Sequence, residues 1–214
     1  MGDAQPRPAV GEETITGFLH RLASRSPTPG GGAVAALNAA QAAALVAMGA
    51  RFSGAGEGDS AGLAAEIVDA ADRLRSRALH LAADDEAAFV AVSAAYDLPH
   101  DDEAARQRRR SSIRDAVADA AGPPAEVVAV AGELVALAER LLPVVNPTLV
   151  CDLAAAADAL QAAASTAALN VAENLRGLPA DDPRRRLLDD VADVAQTMQR
   201  GAALRETVRR KVES

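Results

Sequence analysis

Ile15, Phe18, Leu19 and Leu22 recur at i, i+3, i+4 and i+7, the stripe of an amphipathic helix over about 13–24. Residues 33–50 show no such stripe. They are apolar almost all round, with only Asn38 and Gln41 interrupting, which predicts a helix to about Phe52 that buries most of its circumference. A helical pattern without internal proline then runs from about Ser60 to Tyr96, closed by Leu98-Pro99-His100. A shorter, charged helix covers about 101–121, with Arg106 to Arg110 on a solvated face. Gly122-Pro123-Pro124 opens a helix to about Leu142, with proline in its first turn. Pro143 to Pro147 frames a second turn, followed by an alanine-rich helix over about 148–175. Gly177-Leu178-Pro179 ends that helix, and Pro183 opens a last one to about Val212. No β-branched alternation of strand length occurs. About seven helices with short links predict an all-α, antiparallel helical bundle.

The connection Pro27-Thr28-Pro29-Gly30-Gly31-Gly32 stands out. Prolines fix φ and remove donors, while consecutive glycines permit positive φ and close backbone approach. Running into a helix N-terminus, such a nest suits an anion or a carbonyl-rich ring. The spacing Gly30-x-Gly32-x-x-Ala35 matches a dinucleotide fingerprint only formally, because a helix and not a strand precedes it. A Walker loop would need a lysine here. Both nucleotide readings are rejected; a ligand-free helix–helix turn is the plain alternative.

Composition narrows the classes. The chain has 214 residues, is about a quarter alanine, and contains 2% aromatic residues and no tryptophan. Such a core depends on closely approaching helices. A net charge of -8 argues against nucleic-acid binding. Cys151 is the single cysteine, so neither an intrachain disulfide nor a cysteine-based zinc site is expected. His20, His80 and His100 lack ligand-like spacing, so no metal is assigned; His80 is kept as a candidate proton shuttle. Residues 1–11 read as a disordered arm without signal-peptide character, 53–58 as a flexible break, and 12–214 as one domain. A cytoplasmic location and no membrane partner are expected, since the alanine run reads as a buried helix.

Several polar residues sit where packing alone would not place them. Asp85 lies midway along the long helix. Asn146 lies in the second proline turn, and Asp152 in the first turn of the helix after it. Asn170 and Asn174 share one face of that helix. Buried polar groups need partners. Asp152 could simply complement the helix dipole, the asparagines could bond a neighbouring helix, and Asp85 could be solvated.

Taken together, Phe18-Leu19…Leu22-Ala23-Ser24…Pro27-Thr28-Pro29-Gly30-Gly31-Gly32-Ala33-Val34-Ala35-Ala36 resembles the opening signature of the cyclodeaminase/cyclohydrolase family. The likeness continues through Asp85-x-x-Ala88-Phe89, Ala95-Tyr96-x-Leu98-Pro99, Asn146-Pro147-x-x-x-Cys151-Asp152 and Asn170-Val171-x-x-Asn174. The resemblance implies a homodimeric helical domain acting on tetrahydrofolate derivatives as substrates, with no separate cofactor. The reaction is loss of ammonia from 5-formiminotetrahydrofolate to give the 5,10-methenyl form, or interconversion of the methenyl and 10-formyl forms. A catalytically silent folate-binding dimer is the alternative of another class. Ala33 and Cys151 stand where the family commonly has serine, and Lys211 is the single lysine.

On this resemblance, a carboxylate with a raised pKa would move the proton between folate nitrogen and leaving group. Asp152 is the first candidate, because its alanine neighbours would desolvate it, and Asp85 the second. Pro29, Gly30, Gly31, Gly32, Asn146, Asn170 and Asn174 are candidate substrate-binding residues. Arg51, Arg73 and Arg77 are candidates for the anionic glutamate tail.

Overall fold

The computed structural model describes residues 10–54 and 59–213. The arm expected over 1–11 and the break expected over 53–58 lie mostly outside them. Val10 and Gly11 fall inside, in a 3-10 turn over Val10–Glu12 that packs on the long helix and buries Val10.

Eight α-helices follow: α1 (Ile15–Leu22), α2 (Gly31–Ser53), α3 (Asp59–Tyr96), α4 (Glu103–Asp119), α5 (Gly122–Leu141), α6 (Val150–Asn174), α7 (Arg186–Asp190) and α8 (Val194–Glu213). No strand occurs among the described residues. Local chemistry sets the boundaries. The Thr14 side chain accepts from the Gly17 N–H at 3.0 Å and caps α1, and Asp102 accepts from the Ala105 N–H at 2.6 Å to cap α4. Gly177, at φ 83°, turns the chain left-handed just beyond α6.

The helix expected over about 183–212 is instead broken in two. Asp189 and Asp190 sit at the C-terminal end of α7, where a negative charge opposes the macrodipole. Asp193 stands immediately ahead of α8, where it favours a new start.

Helix α2 is the axis of the bundle. It packs against α3, α5 and α6; α4 lies outside α3, and α8 lies against α5 and α6. Its buried positions are almost all alanine, including Ala33, Ala36, Ala39, Ala43, Ala47 and Ala50. Larger side chains fill the core where the surrounding helices meet, among them Ile67, Leu134, Leu141, Leu153 and Leu160. Although α2 is long and apolar enough to span a bilayer, protein covers most of it. With 23 residues it separates its two ends by roughly 35 Å. That length decides which candidate residues can meet.

Candidate active site

A cavity of about 450 Å³ opens at the N-terminal end of α2. Its floor is Gly30, Gly31 and Gly32, with Pro27 and Thr28 beside them. Helix α3 contributes Asp85, Phe89, Val92 and Tyr96, and α4 contributes Val117. From α6 come Asn170, Glu173 and Asn174.

The glycine run is not a positive-φ nest. Gly30 is the extended N-cap of α2 (φ -129°, ψ -161°), and Gly31 and Gly32 already belong to its first turn. Gly177 is the one described glycine with positive φ. What the run supplies is room. A Cβ on Gly32 would overlap the Asp85 carboxylate, whereas one on Gly30 would meet nothing within 4 Å.

Gly30 has no side chain with which to cap α2. Asp85 performs that role from another helix, accepting the Ala33 N–H, one of the donors a helix start leaves unpaired. The carboxylate therefore sits at the positive end of α2 and against the cavity. Burial raises its pKa above the ordinary aspartate value. The Ala33 N–H pulls the other way, and the neighbouring Glu86 charge adds a smaller upward push.

Glu86 is itself held. Arg21 donates to its two oxygens at 2.9 and 3.0 Å, and to Glu13 at 2.9 and 3.1 Å. All three side chains are largely buried, at 22%, 11% and 16% exposure for Arg21, Glu13 and Glu86. This clamp fixes α1 to α3 beside the glycine turn. The pairing also stabilises the Arg21 guanidinium, Glu86 most and Glu13 next.

Of the expected site residues, Asp85, Gly30, Gly31, Gly32, Asn170 and Asn174 come together here. Pro29 does not line the cavity; it is buried beneath the turn, and the Thr28–Pro29 peptide is cis. Asn174 donates from Nδ2 to the Ala120 carbonyl at 3.0 Å, so one of its expected roles is helix packing.

Asp152 and Asn146 are elsewhere. The Asn146 N–H donates to Ser53 Oγ at 2.8 Å, at the C-terminal end of α2, and its side chain accepts from the Thr148 N–H and hydroxyl. Asp152, in the first turn of α6, lies 18 residues from Asn170, roughly 27 Å along the helix. It is half-exposed, and its alanine neighbours in sequence do not enclose it. Asp152 is therefore remote from this cavity within one chain, whereas Asp85 lines it.

The arginines proposed for an anionic tail are also remote from the cavity. Arg51 pairs with Asp72, while Arg73 and Arg77 line a separate groove between α3 and α5, where Arg77 bonds Glu126 at 2.8 Å. His80 is exposed, and its Nδ1 lies 2.7 Å from the Ser76 carbonyl. Among the described residues no group of three or more His, Cys, Asp or Glu could hold a metal ion.

Three wall residues had no role assigned from sequence. Phe89 and Tyr96 are two of the four aromatic residues in the chain, and both face this cavity partly exposed. Their clustering in an aromatic-poor chain was the available signal. Arg109 braces Tyr96, donating to its carbonyl at 2.9 and 3.0 Å with the guanidinium 5.7 Å from the ring centroid. Glu173 sits at i+3 from Asn170, so the same helical spacing that paired the asparagines also pointed to it. No cationic side chain is among the described residues lining the cavity.

Comparison with known proteins identifies the family. The formiminotransferase-cyclodeaminase family model matches residues 14–193. The chain is 32% identical over 208 residues to methenyltetrahydrofolate cyclohydrolase of Methylorubrum extorquens, covering 96% of this chain and 98% of that one. It is 26% identical to mouse formimidoyltransferase-cyclodeaminase, of which it spans 38%. The crystal structure of formiminotetrahydrofolate cyclodeaminase from Thermotoga maritima superposes with a TM-score of 0.79 at 29% identity, over 93% of this chain and 98% of that one. The chain belongs to the formiminotransferase-cyclodeaminase family, the folate one-carbon family of cyclodeaminases and cyclohydrolases.

Proposed function

We propose that this chain is a methenyltetrahydrofolate cyclohydrolase in which Asp85 is the general acid–base. The observation that carries the role is the Asp85 carboxylate itself. It is anchored on the Ala33 N–H, raised in pKa by burial, and faces a cavity with aromatic walls. The choice of hydrolysis is supported by the 32% identical relative, which matches essentially end to end.

In the hydrolytic direction, water attacks the bridging methenyl carbon and gives up a proton to Asp85. The neutral carbinol that results then collapses. Asp85 returns its proton to N5 as the carbon–N5 bond breaks, the hydroxyl proton leaves to solvent, and the carbon remains on N10 as a formyl group. One proton is released overall, matching the positive charge lost from the methenyl substrate. A raised pKa suits a group that must accept and donate in turn. The acidic, cation-free lining favours the positively charged methenyl form over its neutral product. Phe89 and Tyr96 offer faces for the flat rings.

The second reading is formiminotetrahydrofolate cyclodeaminase, favoured by the solved relative. There N10 attacks the carbon of the protonated formimino group, Asp85 carries the N10 proton to the formimino nitrogen, and ammonia departs as the methenyl cation forms. Absorbance of the methenyl compound tests both. Methenyl lost faster than in buffer establishes the cyclohydrolase. Methenyl gained from the formimino substrate, with ammonia released, establishes the cyclodeaminase. Neither change leaves a folate-binding protein without turnover.

A further inference from the structure

The described side chains around the cavity include two carboxylates, Asp85 and Glu173, on different helices. Both only accept when ionised. Asn174 spends one amide N–H on the Ala120 carbonyl, which leaves its oxygen and its second N–H for a ligand. Against these acceptors stand the Asn170 amide, the Thr28 hydroxyl and the N–H groups at the start of α2, with no cationic side chain among the described residues lining the cavity. The α6 side of this wall, where Glu173 stands between Asn170 and Asn174, suits a ligand edge made of N–H groups.

A reduced folate has one such edge. Its glutamate is anionic and its benzoyl ring apolar, but the pterin presents N3–H and the 2-amino group side by side. Two adjacent, parallel donors match the two oxygens of a carboxylate. Asp85 is occupied with Ala33 and, on the reading proposed above, with the reacting carbon. Glu173 is the other carboxylate in the cavity. It shares a face of the last turns of α6 with Asn170 and Asn174, and α6 and α3 both pack on α2, so the two carboxylates reach the cavity from different helices. Arg176, one turn on, donates to Glu173 Oε1 at 2.7 Å. That contact steadies the side chain while leaving Oε2 and a second lone pair on Oε1.

We propose that Glu173 is the pterin-recognition residue of this site, accepting from N3–H and the 2-amino group while Asn170 and Asn174 bond the neighbouring ring positions. The inference rests on the folate reading, and its consequence is selectivity. A carboxylate built to receive two donors rejects a ring that lacks one of them, and glutamine in its place would set its own NH2 against a donor.

The test is equilibrium binding of 5-formyltetrahydrofolate, a stable reduced folate, and of its 2-desamino-2-methyl analogue, to wild type and Glu173→Gln. Wild type is expected to bind the analogue about 10- to 100-fold more weakly than the natural compound. Glu173→Gln is expected to lose a similar factor on the natural compound and to discriminate little between the two. Because Glu173 is exposed, the variant should melt with the wild type, which excludes misfolding as the cause. If Glu173→Gln keeps the wild-type discrimination, the assignment is overturned and the folate reading stands. If wild type binds neither compound, the folate reading itself falls, and this assignment with it.

Discussion

The Asp85 carboxylate occupies the space that a side chain on Gly32 would fill. One residue lacks a side chain so that another, 53 positions later, can reach the Ala33 N–H at the start of α2. Gly32→Ala is therefore expected to push Asp85 off its anchor and lower kcat/KM by about a hundredfold or more. It should also cost about 1–3 kcal/mol of stability through overpacking. Gly31→Ala, with its nearest new neighbour Thr166 Cγ2 at 3.9 Å, should fold at least as stably as wild type. Thermal melts of both variants, with turnover of the first, check this; equal melts would refute the steric account.

Asp85→Asn separates function from stability. Removing the proposed acid–base group should lower turnover by about a hundredfold to ten-thousandfold. Because burial raises the Asp85 pKa, the folded state holds that proton more tightly than the unfolded chain does. As pH rises from about 4 through the raised folded value, the unfolded chain ionises first and stability falls. Asparagine keeps an oxygen for the Ala33 N–H and does not ionise. Relative to wild type, the variant should therefore gain stability between pH 4 and neutrality, as read by urea unfolding at several pH values. A constant difference across that range would contradict the assignment of the shift.

Arg21→Ala should destabilise the fold by about 1–3 kcal/mol, since it strands Glu13 and Glu86 at low exposure without their shared partner. The uncompensated Glu86 charge should also press harder on Asp85 and move the limb of the pH–rate profile to higher pH. Loss of stability without that movement would make Arg21 a purely structural clamp.

Asp152→Asn should leave kcat/KM within about threefold of wild type, because the residue lies at the opposite end of α6 from the cavity. Asn146→Ala should cost about 1 kcal/mol of stability through the lost turn cap and little activity. A tenfold fall in activity from either would show that the far end of a second copy completes the cavity.

Much of this architecture is legible in the sequence. Helix α2, its proline–glycine entrance, the long α3 and the asparagine pair on α6 follow from periodicity and helical spacing. For Asp152, the alanine neighbours in sequence suggest an enclosing environment that the structure does not provide within one chain. Enclosure is a property of neighbours in space, and the first turn of α6 lies half-exposed at the end of the bundle. In the sequence Asp85 stands as the second candidate through Asp85-x-x-Ala88-Phe89, with a solvated carboxylate as the alternative. Only the tertiary meeting with Gly32 and Ala33 distinguishes it from Asp84, which is exposed. The break between α7 and α8 was within reach of a reading that weighed Asp189 and Asp190 against the helix dipole.

The alanine packing of α2 has a mechanical consequence. A methyl group has no torsion to adjust, so Ala36, Ala39 and Ala43 of α2 and Ala71, Ala78 and Ala82 of α3 cannot absorb a disturbance by turning, as leucines would. A change anywhere along these surfaces must be taken up by sliding a whole helix, and Asp85 rides on one helix while its anchor Ala33 rides on the other. The alignment of the carboxylate is thus machined by backbone spacing over the length of two rods, and a tolerance error introduced two or three turns away arrives at the cavity almost undiminished.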